Sequence, residues 1–229
     1  YLTDAIAAAR PRFQLEEEWP ITPAPEAEDY LGLPVLWTPP NWTEDVQGEY
    51  GRKWQELDFL TGRRVIDDRT GVASVTRTHR WLLVGRAAIA AFRSWLAARA
   101  GKLKPFWLPS FQADLEVVAP VGGTDAFLTV ANRGYAEGPG PVVGRRDLLI
   151  TTTGGARFLR RIGAASVLDA TRELVTIDSA LGTTLAPEAF QRISFLRLVR
   201  LDTDHVEIAH LTDEVAEAVL PLRSLREEP

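Results

Sequence analysis

The chain has 229 residues with 45% hydrophobic and 25% charged side chains, a composition typical of globular proteins and not of disordered ones. It contains no cysteine, which excludes disulfide bonds and thiolate metal sites, so stability is expected to come from packing or from assembly. No apolar run reaches the roughly 18 residues of a membrane-spanning helix, and a net charge of −5 gives no general attraction to nucleic acid.

The negative charge is concentrated at the N-terminus. Residues 1–30 carry seven carboxylates against Arg10 and Arg12, so this segment alone accounts for the net charge of −5. Frequent prolines between residues 20 and 40 keep the backbone extended, because proline fixes its own torsion and pushes its predecessor out of the helical region. The sequence therefore predicts an extended, acidic, proline-rich arm over residues 1–45. Aromatic side chains are enriched at protein interfaces, so Trp19, Trp37 and Trp42 are predicted to be its docking anchors.

Residues 46–119 are predicted to form a β-rich module that contains one helix. Turn signals at glycines and at residues 67–71 separate short alternating segments, among them residues 72–78 and 80–84. The apolar spacing of Phe92, Trp95 and Leu96 predicts a helix over residues 86–100. The order of strand, helix and strand indicates a crossover helix on one face of a sheet.

An aromatic, proline-studded connector, residues 104–111, follows that helix. Phe106, Trp107 and Phe111 are interpreted as packing residues, either in the core or at an interface, and they complete the set of interface candidates. Flat rings also stack on sugars, so a carbohydrate-binding platform is the alternative. Core or interface packing is favoured because Phe106 and Trp107 lie between prolines in a connector that has the composition of a buried segment.

Residues 120–229 are predicted to form a second, all-β module. Strands are predicted at residues 126–130, 148–153, 157–162, 174–177, 192–201 and 205–211, and this regular spacing is typical of a sandwich or barrel. The segment 202–204 is predicted to be a tight turn that pairs the last two strands as a hairpin. The fold class is therefore mainly β with one crossover helix, in sandwich or barrel modules preceded by an extended arm.

No catalytic pattern is found in the sequence. His79, His205 and His210 lack the spacing of metal ligands, and the glycine-rich segment 134–141 lacks the Lys-Ser/Thr ending of a phosphate loop. No serine or histidine stands in a nucleophile elbow. We therefore expect no enzyme activity, no cofactor, no metal site and no nucleic-acid partner. The N-terminus also lacks the pattern of a secretion signal.

Several motifs resemble one family. The segments 33–37 (LPVLW) and 40–42 (PNW), followed by 99–102 (RAGK) and 106–110 (FWLPS), are similar to tail-tip proteins of long-tailed bacteriophages, of the distal tail type. The run 193–198 (ISFLRL) resembles the closing part of such proteins, as do residues 204–208 and 213–217. These motifs are structural and not catalytic.

The resemblance implies a structural virion protein that forms a ring at the end of the tail tube. Such a distal tail ring is an adaptor between the tube protein and the hub and fibre proteins of the baseplate. A hexamer is expected and a trimer is less favoured; the location is the virion, with host cytoplasm during assembly. A closed ring needs heterologous contacts, for which the arm and the connector are the candidates. Two alternatives stay open: the baseplate hub protein of the same tail tip and, in a different class, a carbohydrate- or receptor-binding β module.

Overall fold

The computed structural model describes residues 29–41, 47–51, 54–58, 64–68 and 74–226. Within these residues the chain forms twelve strands and one α-helix, which confirms the mainly β fold with a single helix. The strands are β1 (Gln47–Gly51), β2 (Trp54–Asp58), β3 (Arg64–Asp68), β4 (Ser74–Val84), β5 (Phe106–Pro109), β6 (Phe127–Ala131), β7 (Asp147–Thr152), β8 (Arg157–Val167), β9 (Arg172–Ile177), β10 (Phe190–Leu201), β11 (Ile208–His210) and β12 (Val215–Ser224), and the helix is α1 (Arg86–Arg99). Strands β2 and β3 pair only with each other in this part of the chain.

Five strands and a short segment close into a ring. The antiparallel order is β10, β7, β8, β9 and β6, and the segment 115–117 completes it, because Leu115 bridges Ile193 of β10 while Val117 bridges Val130 of β6. We call this unit the strand ring. Its interior is filled with apolar side chains from every member, including Leu128, Leu148, Ile150, Ile162, Val175, Ile193 and Phe195. Inward-facing residues alternate along the strands, as burial on one face requires.

A second group of strands forms a sheet that α1 covers on one face. Its antiparallel order is β1, β4, β12 and β10, with β5 on the far edge of β10 and β11 beside β12. We call this unit the helix-covered sheet. Apolar residues of α1 pack on side chains of β4, β12, β10 and β5, such as Trp81, Phe106, Leu201, Ala218 and Leu220.

Strand β10 belongs to both units. Leu196 pairs with β7 on one edge and β5 on the other, whereas Val199 pairs with β12 and β5. β7 and β12 therefore follow one another along the same edge of β10. As a result, strands from before and after the predicted module boundary at residues 119–120 belong to the same sheet. β12 pairs with β4, and β10 pairs with β5.

Helix α1 follows from its composition and ends at a defined stop. Alanine and leucine have high helix propensity, and Ile89 and Phe92 are buried on the face that meets the sheet. Ala100 then takes a left-handed conformation with φ of 49°, and Gly101 follows at 62°. The observed span agrees with the predicted residues 86–100, and β4 continues directly into it.

The predicted hairpin at residues 202–204 is wrong. β11 pairs with β12 instead of β10, and the amide of Asp202 donates to the carbonyl oxygen of Pro221 in β12, at 2.8 Å. No strand was predicted for residues 215–224, yet β12 is central in the sheet, between β4 and β10. The prediction relied on turn-forming residues at 202–204, whereas β10 pairs with β12, which lies later in the chain than the predicted partner.

The described part of the arm, residues 29–41, lies against the body. Residues 34–36 run beside β5: the amide of Leu36 donates to the carbonyl oxygen of Trp107 at 2.9 Å, and the amide of Trp107 donates to that of Pro34 at 2.8 Å. Val35 and Leu36 are buried. Residues 1–28 and 42–45 of the predicted arm lie outside the described residues.

Candidate functional site

The predicted interface aromatics occupy different environments. Trp19 and Trp42 lie outside the described residues. Trp37 is half-buried, its indole Nε1 donates to Asp29 at 3.2 Å, and the guanidinium of Arg157 lies 5.0 Å from its ring centroid. Trp37 thus keeps part of its surface available for a contact.

Phe106 and Trp107 have no exposed surface. Successive residues of a strand point to opposite faces, so β5 is buried on both sides. Phe106 meets Trp95 of α1 edge to face, with centroids 4.8 Å apart, while Trp107 packs on the other face against Tyr30. Of the two roles that the sequence left open, core packing is the one these residues have in the folded chain.

Phe111 is buried at a turn fixed to β10. Its φ is 54°, an unusual value for a residue other than glycine. The Ser110 hydroxyl donates to the carboxylate of Asp114, which also accepts the amide of Phe195 at 2.8 Å. Arg192 donates to the carbonyl oxygen of Phe111 at 3.0 Å. The connector is therefore fixed to β10 both by its strand, β5, and by the turn that follows β5.

A buried polar cluster fixes the arm to the strand ring. Asp147 has no exposed surface and accepts the Tyr30 hydroxyl at 2.6 Å and Nε of Arg161 at 2.7 Å. Burial, then the hydrogen bond to Asp147, raises the pKa of Tyr30. The hydrogen bond to Asp147 raises the pKa of Arg161. A buried carboxylate needs such partners, so Asp147 ties the segment at Tyr30 to β7 and β8.

A cavity of about 450 Å³ opens on the helix side of the sheet, beyond the area that α1 covers. Its floor comes from β1, β4, β12 and β10, and its wall from β5 and the turn after it. We call it the arginine cavity, because Arg77 and Arg197 both line it, together with Tyr50, His79, Leu108 and Leu222. No carboxylate lines it among the described residues.

The electrostatics of the arginine cavity favour an anion. Burial, then the charge of Arg77, lowers the pKa of Arg197, while Asp114 opposes that shift. Burial, then Arg77, lowers the pKa of His79 to about 4, so His79 is neutral at pH 7. Two guanidinium groups therefore share a partly enclosed space, and an incoming negative group would relieve their repulsion.

No protein-family model matches this chain, and no curated protein matches it in sequence. Across the described ranges, no helix is long and apolar enough to cross a membrane. In the same part of the chain, no three potential metal-ligating side chains gather in one place.

Sequence reasoning missed the arginine cavity and the Asp147 cluster. Arg77 and Arg197 are 120 positions apart, on β4 and β10, and neither stands in a motif that indicates a binding site. Asp147 and Tyr30 are 117 positions apart. One signal was available for Asp147: it directly precedes the apolar run 148–150, and a carboxylate at the start of a buried strand needs a partner.

Proposed function

We propose that this protein is a structural component of a bacteriophage tail tip, a distal tail ring or adaptor that links the tail tube to the hub and fibres. The assignment to tail-tip proteins rests on the sequence resemblance at residues 33–37, 99–102 and 106–110. The fold is compatible with it, because these segments form the arm contact, the end of α1 and β5, which all serve architecture.

The structural observation that carries the assembly part of this proposal is an apolar patch on the uncovered face of the sheet. Val84 is 67% exposed, Leu82 46% and Leu211 61%. Val215 pairs with Val84 across β4 and β12, and its carbonyl oxygen accepts the amide of Leu211 at 2.8 Å. These four residues, the apolar sheet patch, lie side by side on the face opposite α1.

An exposed apolar cluster on regular strands is a common feature of protein contact surfaces. In a ring of identical subunits, one surface of each copy meets a different surface of the next. We assign the apolar sheet patch to the subunit contact of such a ring. Its position on β4, on β12 and at the turn between β11 and β12 keeps it rigid, which favours a contact of defined geometry.

The test is the symmetry of the purified full-length protein by electron microscopy, with mass measured by sedimentation. A closed sixfold ring is the expected result. A threefold particle would favour the baseplate hub protein of the same tail tip. A monomer that binds immobilised glycans would overturn the proposal in favour of a carbohydrate- or receptor-binding module.

A further inference from the structure

We propose that the arginine cavity binds the acidic run Glu16-Glu17-Glu18 and the adjoining Trp19 of a neighbouring copy of this chain. The inference rests on the proposed ring and names one of its contacts. It concerns the helix side of the sheet and is independent of the apolar sheet patch on the opposite face.

The balance of charge favours an acidic segment of this chain as the ligand. Arg77 and Arg197 line the arginine cavity, and neither forms an ion pair with another described residue. The complementary charge exists within the same chain, because residues 1–30 carry the whole net charge of −5. Guanidinium groups pair with carboxylates in bidentate fashion, and three consecutive glutamates offer a partner to each arginine.

The apolar part of the cavity lining favours a ligand that also carries an aromatic side chain. Leu108, Phe111, Val199 and Leu222 contribute to the cavity beside the two arginines. A purely anionic ligand would leave this surface unused. Trp19 directly follows the glutamates and supplies an aromatic side chain, the residue type that most often anchors an interface. A volume of about 450 Å³ accommodates an indole and a carboxylate together.

The arginine cavity is accessible from the edge of the sheet. Among the described strands, β1 is the edge strand of the helix-covered sheet, and its exposed Tyr50 lies at the rim of the cavity. A segment from another molecule can approach along this edge without displacing any of the described strands. The chain's own arm contributes Pro40 to the cavity lining, while its first described residues lie elsewhere: Tyr30 packs on Trp107, on the opposite face of β5 from Leu108. This placement favours the segment of a neighbour over that of the same chain.

A labelled peptide of residues 13–21 tests the site directly by fluorescence anisotropy. The full-length protein carries Glu16→Gln, Glu17→Gln and Glu18→Gln, so that its own segment does not compete. We expect binding that weakens with added salt and about tenfold with Arg77→Gln plus Arg197→Gln. A peptide with three glutamines should not bind, and Arg133→Gln, on an exposed arginine of the strand ring, should change nothing.

The double variant Arg77→Lys plus Arg197→Lys is the control for misfolding, because it keeps both charges and loses only the bidentate geometry. We expect it to bind the peptide with an affinity between those of the parent and the glutamine variant. Equal peptide binding by the glutamine variant and the parent would overturn the proposal. So would an absence of binding at millimolar peptide.

Mixing two charge-reversed chains distinguishes a neighbour's segment from the chain's own. One chain carries lysine at positions 16–18, by Glu16→Lys, Glu17→Lys and Glu18→Lys, and the other carries Arg77→Glu and Arg197→Glu. Each alone should lose this contact and form fewer oligomers than the parent by mass photometry, and mixing the two should restore them. A mixture with no more oligomer than either chain alone would overturn the assignment to a neighbour.

The ring and the cavity contact can fail separately. Peptide binding without any ring would reject the proposed function and keep the site. Rings that persist unchanged with Arg77→Gln and Arg197→Gln would reject the site and keep the proposed function.

Discussion

Trp107 and Tyr30, 77 positions apart in sequence, are joined twice: the indole Nε1 donates to the carbonyl oxygen of Tyr30 at 3.0 Å, and the two rings meet edge to face with centroids 5.3 Å apart. The hydroxyl of Tyr30 continues this connection to Asp147. One fully buried tryptophan thus links the arm, β5 and the strand ring. The resemblance motif at residues 106–110 contains this tryptophan, and its place in the fold explains why a large aromatic side chain stands there.

Replacing Trp107 by alanine should lower the free energy of unfolding by about 3–5 kcal/mol, because it removes a fully buried indole and leaves a cavity. The matched control is Trp37→Ala, which truncates a half-buried tryptophan on the arm and should cost less. Urea unfolding of the two variants checks the difference. Equal losses would contradict the central position assigned to Trp107.

Removing the hydroxyl of Tyr30 by Tyr30→Phe should destabilise the protein by about 1–3 kcal/mol, since a hydrogen bond to a buried carboxylate is lost. Tyr50→Phe, at a tyrosine that is largely exposed, is the control and should change the free energy of unfolding by less than about 0.5 kcal/mol. Thermal unfolding of both variants is the measurement. If Tyr30→Phe behaves like its control, the hydroxyl does not hold the arm.

Acid should destabilise the protein through His79. Its pKa is lowered from 6.5 to about 4 in the folded state, so between these values the unfolded chain binds the proton in preference. This contribution to stability is fully present above pH 6.5 and is lost as the pH falls toward 4. Between pH 7.5 and 4.5 the loss from this one group is about 2 kcal/mol. His79→Gln should remove that component in urea unfolding at the two pH values. An unchanged pH dependence would show that His79 titrates normally.

A charge on the apolar sheet patch should prevent assembly without unfolding the subunit. Val84→Lys places an ammonium group at a site that is already exposed, so the melting temperature should stay near that of the parent. Sedimentation should show loss of the oligomer. Val143→Lys, at an exposed valine on the loop before β7, should assemble normally. Oligomers of Val84→Lys that match the parent would place the subunit contact elsewhere.

The end of α1 offers a stabilising substitution. Ala100 has φ of 49°, which costs an L-residue about 1–2 kcal/mol and costs glycine almost nothing. Ala100→Gly should therefore raise the free energy of unfolding by up to about 1 kcal/mol, measured by urea unfolding. Ala91→Gly, at an exposed position within the same helix, should instead lower the free energy of unfolding.

Local pattern was sufficient for several elements. The helix over residues 86–100 was predicted from its apolar spacing, and a strand was predicted at residues 192–201, which lie within β10. Both are properties of a short segment and its immediate neighbours. β12 was missed because its inward side includes Ala216 and Ala218, which are weak signals of a strand.

What the sequence alone determined is the class of the fold, mainly β with one helix, and the acidic, proline-rich composition of the N-terminal segment. These properties follow from propensity, periodicity and charge, which can be read from short stretches of the sequence. Only the tertiary structure decided the pairing of β12 between β4 and β10, the closure of the strand ring, and the meeting of Arg77 with Arg197 in one cavity. The physical reason is that strand partners are chosen by burial and hydrogen bonding across long sequence separations, which no local pattern records.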